Sequence, residues 1–295
     1  MKKTLATIIT IFTFSTILIA NSAIQTPTNG EIKVDYTSKD VKVFNKVVKQ
    51  FSKDKDKAMN EFVIDIAKYF LETPYVAGTL ENTATEALTI NLRETDCILF
   101  VEMCTALAHT IKGIEIGGDG SSKEASFELY CDNIRNMRYI DGMINGYASR
   151  QHYTSGWILQ NEKNGIMKEI SKELGSPLNQ EFSFMSSNPQ SYKQLQNNNK
   201  NVAEIIKVEN FLSNHDYYYL SNADLKANES KIKSGDIICF VSVVDGLDIS
   251  HVAFAYWTPE KELHFIHASS KAMKVIIEPK TLVEYTRSGI RLMRF

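Results

Sequence analysis

Apolar positions recur along the first third of the chain at three- and four-residue steps. Val41, Val43, Phe44, Val47, Val48 and Phe51 fall on one side of a helical wheel, and Phe62, Ile66, Tyr69 and Phe70 do the same further on. This predicts amphipathic helices between residues 41 and 71. The run Ser52-Lys53-Asp54-Lys55-Asp56-Lys57 separates them as a solvated break, and Pro74 and Gly78 close the second helix. Helical spacing returns from Ile98 to Lys112, through Phe100, Val101, Met103, Cys104, Leu107, Ala108 and Ile111, and stops at Gly113, Gly117, Gly118 and Gly120. Residues 122–140 predict another helix. Residues 186–201, rich in Asn, Gln and Ser, read as a loop or weak helix inserted between elements. The last third changes period. Asp236–Val241, His251–Trp257, Leu263–His267, Lys274–Ile277 and Ile290–Phe295 are short strand-like runs parted by turn signals. Helices first and strands later, with hairpin-length links, predict an α+β fold with an antiparallel sheet, in one domain over residues 41–295.

The opening segment stands apart from this domain. Lys2 and Lys3 precede an apolar stretch from Leu5 to Ile19, and the small residues Ala20, Ser22 and Ala23 follow. That is the order of a secretory signal peptide over residues 1–23, and the stretch is shorter than the roughly 20 residues of a spanning helix. No cysteine follows it to carry a lipid, and no other segment is apolar enough to insert stably in a membrane. Residues 24–40, with Pro27, Thr28, Asn29 and Gly30, read as a linker. The mature protein is expected to be exported, soluble, monomeric and periplasmic. The whole chain of 295 residues is 43% hydrophobic and 23% charged, with a net charge of −2. Ample core material excludes a disordered chain, and the absence of a basic surplus argues against nucleic acid as a partner.

Four cysteines are present: Cys97, Cys104, Cys131 and Cys239. Cys97 and Cys104 lie seven positions apart on one predicted helix, too far to bond, and free thiols are expected. No zinc-type spacing occurs. Cys97 starts a helix, with Asp96 or Thr95 as candidate N-cap, and a helix N-terminus favours thiolate over thiol. His251 opens a strand and His267 ends the next. If residues 258–262 form a hairpin turn, the two histidines meet, giving a nucleophile, a base and a group that orients the base. His264 and His267 are three apart on a strand and point to opposite faces, so no metal site is expected. On spacing alone, these residues do not choose between an enzyme and an inert scaffold.

The words around them add to this. Tyr75-Val76-Ala77-Gly78, Asp96-Cys97 with Phe100-Val101, Gly235-Asp236-Ile237-Ile238, Ser250-His251-Val252-Ala253 and Phe265-Ile266-His267-Ala268-Ser269 occur in that order. The chain resembles the NlpC-type papain-like cell-wall peptidases. It resembles more closely a branch described as N-acetylmuramoyl-L-alanine amidase-like, through Val76–Glu81, Asn91–Glu102 and Tyr147–Ser155.

The resemblance implies an antiparallel sheet or partial barrel packed by helices, with a helix- and loop-rich insertion. It implies a metal-free, cofactor-free cysteine amidase that cuts the bond between muramic acid and L-alanine in muropeptides. In that reading Cys97 is the nucleophile, His251 the base, His267 the orienting member and Tyr75 a pocket residue near the oxyanion. Arg150, His152 and Tyr153 form the branch's own motif and are candidate substrate contacts, with Arg93 and Asp96 beside them. Arg150 could equally sit in an ion pair. Two departures stand out: the superfamily's Ser-Gly after Asp-Cys is here Ile98-Leu99, and Gly156 replaces an expected acidic residue before Trp157. The alternatives are an endopeptidase cutting between D-glutamate and the diamino acid of the stem, and a catalytically inactive module that binds peptidoglycan fragments.

Overall fold

The computed structural model describes residues 33–295 apart from Ala84. The expected signal peptide and the first part of the expected linker lie outside the described residues. The remainder of that linker is structured, which corrects its assignment. Strand β1 (Val34–Asp35) pairs in parallel with β2 (Leu88–Thr89), and helix α1 (Ser38–Phe51) begins within it. Asp40 explains the early start. Its carboxylate accepts from the Thr37 hydroxyl (2.6 Å) and Thr37 N–H (2.9 Å), closing a capping box. It also accepts from Leu92 N–H (2.9 Å) and Arg93 Nε (3.0 Å). Burial alone would raise the pKa of Asp40, but these donors outweigh it and hold the group below the usual carboxylate value.

Helices α2 (Met59–Tyr69), α3 (Cys97–Ile111) and α4 (Phe127–Arg138) follow. Every residue of α3 from Leu99 to Ile111 is buried, so it is the axis of the helical layer. Strands β6 (Ile237–Val241), β7 (Ile249–Trp257), β8 (Leu263–Ser269) and β9 (Lys274–Ile277) form an antiparallel meander. With β3 (Lys168–Glu169) and β10 (Ile290–Arg294) they complete a six-stranded sheet in the order β3-β10-β6-β7-β8-β9. Its end strands do not pair with each other, so the sheet is open, not a closed barrel. Ile237, Cys239 and Val252 pack toward α2 and α3, while Ile238, Phe240 and Ala253 pack toward Leu220, Leu225 and Leu282 on the other side. Both faces are covered, which is why the strands read as continuous apolar runs without polar alternation.

The insertion between α4 and β6 contains α5 (Thr154–Lys163), α6 (Ser171–Leu174), α7 (Phe184–Ser187), α8 (Asn199–Ser213) and α9 (Asn222–Asn228). It also contains β4 (Ser176–Leu178), paired with β5 (Tyr217–Tyr219). The polar stretch expected as loop or weak helix holds the end of α7 and a short 3-10 turn (Pro189–Ser191), then turns up to Asn198, whose side chain caps α8 by accepting from Asn201 N–H (3.1 Å). The insertion has its own core of Tyr153, Phe182, Met185, Ile205, Leu212 and Tyr217. A last short helix, α10 (Leu282–Tyr285), lies between β9 and β10.

The Gly235-Asp236 pair has a structural reason. Gly235 has φ +90°, and a Cβ there would lie 2.1 Å from the Asn60 carbonyl oxygen on α2. The buried Asp236 binds Arg294 (2.6 and 2.8 Å) and accepts from Lys233 N–H (2.8 Å). We expect Gly235→Ala to lower stability by at least about 2 kcal/mol, from strain at positive φ and displacement of α2. An unchanged urea midpoint would refute this account. On α3, the buried His109 donates from Nδ1 to the Thr105 carbonyl (2.9 Å), and burial lowers its pKa to about 4. Its neutral form is stable above the unfolded value near 6.5, and that contribution is lost as pH falls toward about 4. The stability of the wild type relative to His109→Gln should therefore drop by about 2–3 kcal/mol between pH 7.5 and 4.5. A difference independent of pH would contradict burial of the neutral imidazole.

Candidate active site

Three segments meet where the sheet reaches the start of α3. Residues 72–75 run along the edge of β9: Glu72 N–H donates to Val275 O (2.9 Å), Val275 N–H to Thr73 O (2.8 Å) and Tyr75 N–H to Met273 O (3.0 Å). On the other side Val76 N–H donates to Thr95 O (2.9 Å) and Thr95 N–H to Pro74 O (3.0 Å), which fixes the turn just before α3. Asp96 caps the helix by accepting from Leu99 N–H through Oδ1 (3.0 Å), and Cys97 is the first helical residue. Tyr75, Asp96 and Cys97 are thus neighbours through backbone pairing. Burial, then the charges of Cys97 and Asp96, raise the Tyr75 pKa.

The second element is the truncated β7–β8 ladder, whose last pair is Phe254 with Ile266. Val252 lies beyond it, and its N–H points to the sulfur of Cys97 instead of to a strand. Continuing the register by one puts Ala253 opposite His267, so His251 lies diagonally across from His267 on the same face. The two rings meet, with His251 Nε2 2.7 Å from His267 Nδ1 and the planes at 84°. Phe240 packs on His251 at 5.7 Å between centroids, and Phe265 on His267 at 4.9 Å. The hairpin expected from residues 258–262 is present, with Thr258 N–H donating to Glu262 O at 2.9 Å. His264 points to the opposite face, donating from Nδ1 to the Glu278 carbonyl (2.9 Å).

Electrostatics alters one sequence-based expectation. Burial, aided by the Asp96 charge, pushes the Cys97 thiol up to about 12 from 9. At about 1.4 kcal/mol per unit, this exceeds the 0.3–1 kcal/mol or so that a helix N-terminus typically returns. Burial, with His267 alongside, lowers His251 to about 3, and burial lowers His267 to about 4. Burial thus favours the neutral thiol and neutral imidazoles, against the pull of the helix N-terminus toward thiolate.

The remaining candidate residues are already partnered. Arg150 is buried, with Nη2 2.7 Å from Glu81 and Nε 3.0 Å from Glu86. The second contact is close in charge but off-axis, leaving Nε without a hydrogen bond. His152 donates from Nε2 to the Tyr147 carbonyl (2.8 Å). Tyr153 donates to Glu209 (2.7 Å) and accepts from Met185 N–H (3.0 Å). Arg93 sits on Asp40, at the foot of the turn that leads to Cys97. Asp96, Ile98, Leu99, Arg138, Arg150 and His152 wall a cavity of about 150 Å³ beside the helix start. It adjoins a second of about 360 Å³, lined by Tyr147, Tyr153, Tyr192 and Lys193, with Glu81 and His152 common to both. At Gly156, a Cβ would approach Gln151 Oε1 to 2.5 Å, so a larger residue there would displace Gln151.

Sequence reasoning missed Glu278 and Tyr285. Glu278 Oε2 lies 3.3 Å from His267 Nε2, and the Tyr285 ring lies 6.2 Å from that of His267. The only available signal was a charged residue closing the apolar run Val275-Ile276-Ile277. Among the described residues no group of three or more metal-ligating side chains occurs, and no helix is long and apolar enough to cross a membrane.

Fold and site together describe an open antiparallel sheet in which Val252, next to the paired His251 and His267, turns its N–H toward a cysteine heading a buried helix. Residues 65–290 match the family described as AmiA-like, N-acetylmuramoyl-L-alanine amidase-like, and the chain belongs to that family. A Bacteroides uniformis structure named an N-acetylmuramoyl-L-alanine amidase is 34% identical, with TM-score 0.73, covering 80% of this chain and 98% of that one. A Bacteroides fragilis structure provisionally named a xylanase is 35% identical, with TM-score 0.71, covering 78% and 100%. The Legionella pneumophila protein LPG0564 shares the fold at 21% identity and TM-score 0.60, covering 86% and 94%. No curated protein matches the chain.

The half-buried Cys97 thiol, held toward its neutral form beside Asp96, should alkylate slowly with iodoacetamide at pH 7, and faster as pH rises through the alkaline range. Asp96→Asn keeps a good cap and removes the charge, so labelling of Cys97 at fixed pH should speed up several-fold. Fast labelling of the wild type at pH 5 would show that the thiolate is present at rest and overturn this reading.

Proposed function

We propose that this protein is an exported, periplasmic cysteine amidase of the papain-like NlpC type. It hydrolyses the amide between N-acetylmuramic acid and L-alanine in peptidoglycan fragments. The observation that supports the reading is the Val252 N–H directed at Cys97 from the residue next to His251, which itself meets His267 at 2.7 Å, within a chain of the amidase-like family.

His251 Nε2 is engaged by His267, so Nδ1 is the nitrogen left to serve Cys97. As sulfur attacks the lactyl carbonyl, Nδ1 takes the thiol proton. A neutral resting pair suits this order, because charge develops only while the carbonyl oxygen becomes an oxyanion. In this reading the Cys97 N–H and the Tyr75 hydroxyl would donate to that oxygen. The His251 imidazolium then gives its proton to the L-alanine nitrogen, and the C–N bond breaks to leave a thioester. Water, deprotonated by His251, hydrolyses the thioester and restores the thiol.

A stem-peptide endopeptidase would use the same groups, but Ile98 and Leu99 narrow the cavity where small residues are usual in that superfamily. Glycoside hydrolysis needs two free carboxylates flanking a sugar bond. Here Asp96 caps α3 and Glu102 is held by Arg138 at 2.8 Å. An inactive binding module would have no use for the cysteine and paired imidazoles.

The test is mass spectrometry of disaccharide-tripeptide and disaccharide-tetrapeptide after incubation with mature protein, with Cys97→Ala as control. Release of a peptide beginning with L-alanine, absent in the control, is expected. A shorter peptide that leaves alanine and glutamate on the sugar would establish the endopeptidase. No cleavage of either substrate would favour the binding module.

A further inference from the structure

We propose that Glu278 is the positioning residue that sets the direction of the protons in the His251–His267 pair, and so leaves His251 Nδ1 bare to act as a base. The proposal rests on the cysteine-hydrolase reading for its catalytic consequence, but its structural content stands by itself.

Two imidazoles joined through His251 Nε2 and His267 Nδ1 share one proton, and it can belong to either ring. If it sits on His251 Nε2, then Nδ1 of that ring has a free lone pair and can accept the Cys97 proton. If it sits on His267 Nδ1, a neutral His251 must carry its proton on Nδ1 and cannot accept another there. The pair alone does not choose. The choice is made at the far nitrogen of His267. That ring is only 2% exposed, and its Nε2 has no hydrogen-bond partner of good geometry. The acidic group beside it is Glu278, whose Oε2 lies 3.3 Å away and whose side chain is 12% exposed. A carboxylate accepts and cannot donate, so it draws the His267 proton to Nε2. His267 Nδ1 must then accept from His251 Nε2–H, and His251 Nδ1 is left empty.

The backbone holds Glu278 in place. Its N–H donates to Phe265 O (2.9 Å), and its carbonyl accepts from His264 Nδ1 (2.9 Å). Other titratable or charged groups face this chain of contacts: Cys97 from α3, and Tyr285 with Arg287 from α10 and the turn after it. Tyr285 is affected by the charges of both Glu278 and Cys97, so the carboxylate and the thiol belong to one electrostatic unit. As His251 becomes an imidazolium during attack, Glu278 balances its charge through His267 with no proton crossing to the carboxylate.

The experiment uses the mature protein labelled with 15N-histidine, as wild type, Glu278→Gln and Glu278→Met. Long-range 1H–15N spectra report the tautomer of each ring without reference to turnover. In the wild type both His251 and His267 should carry the proton on Nε2. In Glu278→Met at least part of the population should move to Nδ1–H on both rings, while Glu278→Gln, which keeps an acceptor, should retain the wild-type order. On disaccharide-tripeptide, Glu278→Met should lose roughly 100-fold in kcat with KM changed less than about twofold, as expected when a general base is in the wrong tautomer. Glu278→Gln should lose less and shift the pH profile of kcat. A wild-type His251 protonated on Nδ1, or tautomers unchanged in Glu278→Met, overturns the proposal. The predicted tautomers in a wild type that cleaves no muropeptide would uphold the role of Glu278 and reject the amidase reading.

Discussion

Partial exclusion of water from around Cys97 and His251, and its full exclusion from His267, is the constraint on which this site depends. Each group is pushed toward its neutral form, the thiol upward and both imidazoles downward. A site built this way cannot store a charged pair at rest. On the proposed chemistry, it would create one when a reacting carbonyl offers a developing negative charge to balance it, and donors near that oxygen would be worth more than in water. The aromatic rings of Phe240, Phe265 and Tyr285 around the histidines are therefore part of the electrostatics as well as the packing. Asp96 adds to the same effect: its carboxylate is spent on capping α3, and its charge opposes a thiolate one residue away.

The early end of the β7–β8 ladder creates the space in which this happens. A ladder continued past Phe254 and Ile266 would use the Val252 N–H for strand pairing. Ending it there leaves that donor for sulfur and lets His251 and His267 meet diagonally. The register shift between Phe240 and Val241 on the neighbouring strand occurs at the same level, opposite His251 and Ile249. Irregularity in two adjacent ladders thus coincides with His251, His267 and the Val252 N–H that faces Cys97, while the regular part of the sheet fixes their positions.

Much of this was legible in the sequence, for identifiable reasons. The helical steps of α1, α2 and α3 and the strand runs after residue 236 are strong periodic signals, and His251 and His267 follow from a hairpin whose turn is readable. The start at Val34 was not legible, because β1 is two residues long and its reason, Asp40, is a charge buried by contacts 52 and 53 residues away. Glu278 was hidden in the same way. Nothing local distinguishes it from a solvated residue at a strand end until the register places it behind His267. The helix N-terminus that favours a Cys97 thiolate is visible in sequence, whereas the desolvation that opposes it appears only once the fold is known.

The motif from Tyr147 to Ser155 is tied into the fold by its own polar contacts. Arg150, His152 and Tyr153 were natural candidates to grip a substrate carboxylate, yet in the free protein their polar atoms are largely engaged with Glu81, Glu86, the Tyr147 carbonyl and Glu209. Removing either carboxylate from Arg150 would leave a buried charge poorly compensated, which is far more costly than losing a surface pair. The guanidinium is therefore better suited to holding the 79–86 segment and the insertion against each other than to releasing both for a ligand. Through Tyr153 the same motif reaches Glu209 on α8 and Met185 on α7, so the insertion's separate core is joined to the wall of the cavity beside Cys97. The shape of that cavity is set by the packing of the insertion, and selection among stem peptides would follow from how these walls sit more than from any single charged contact.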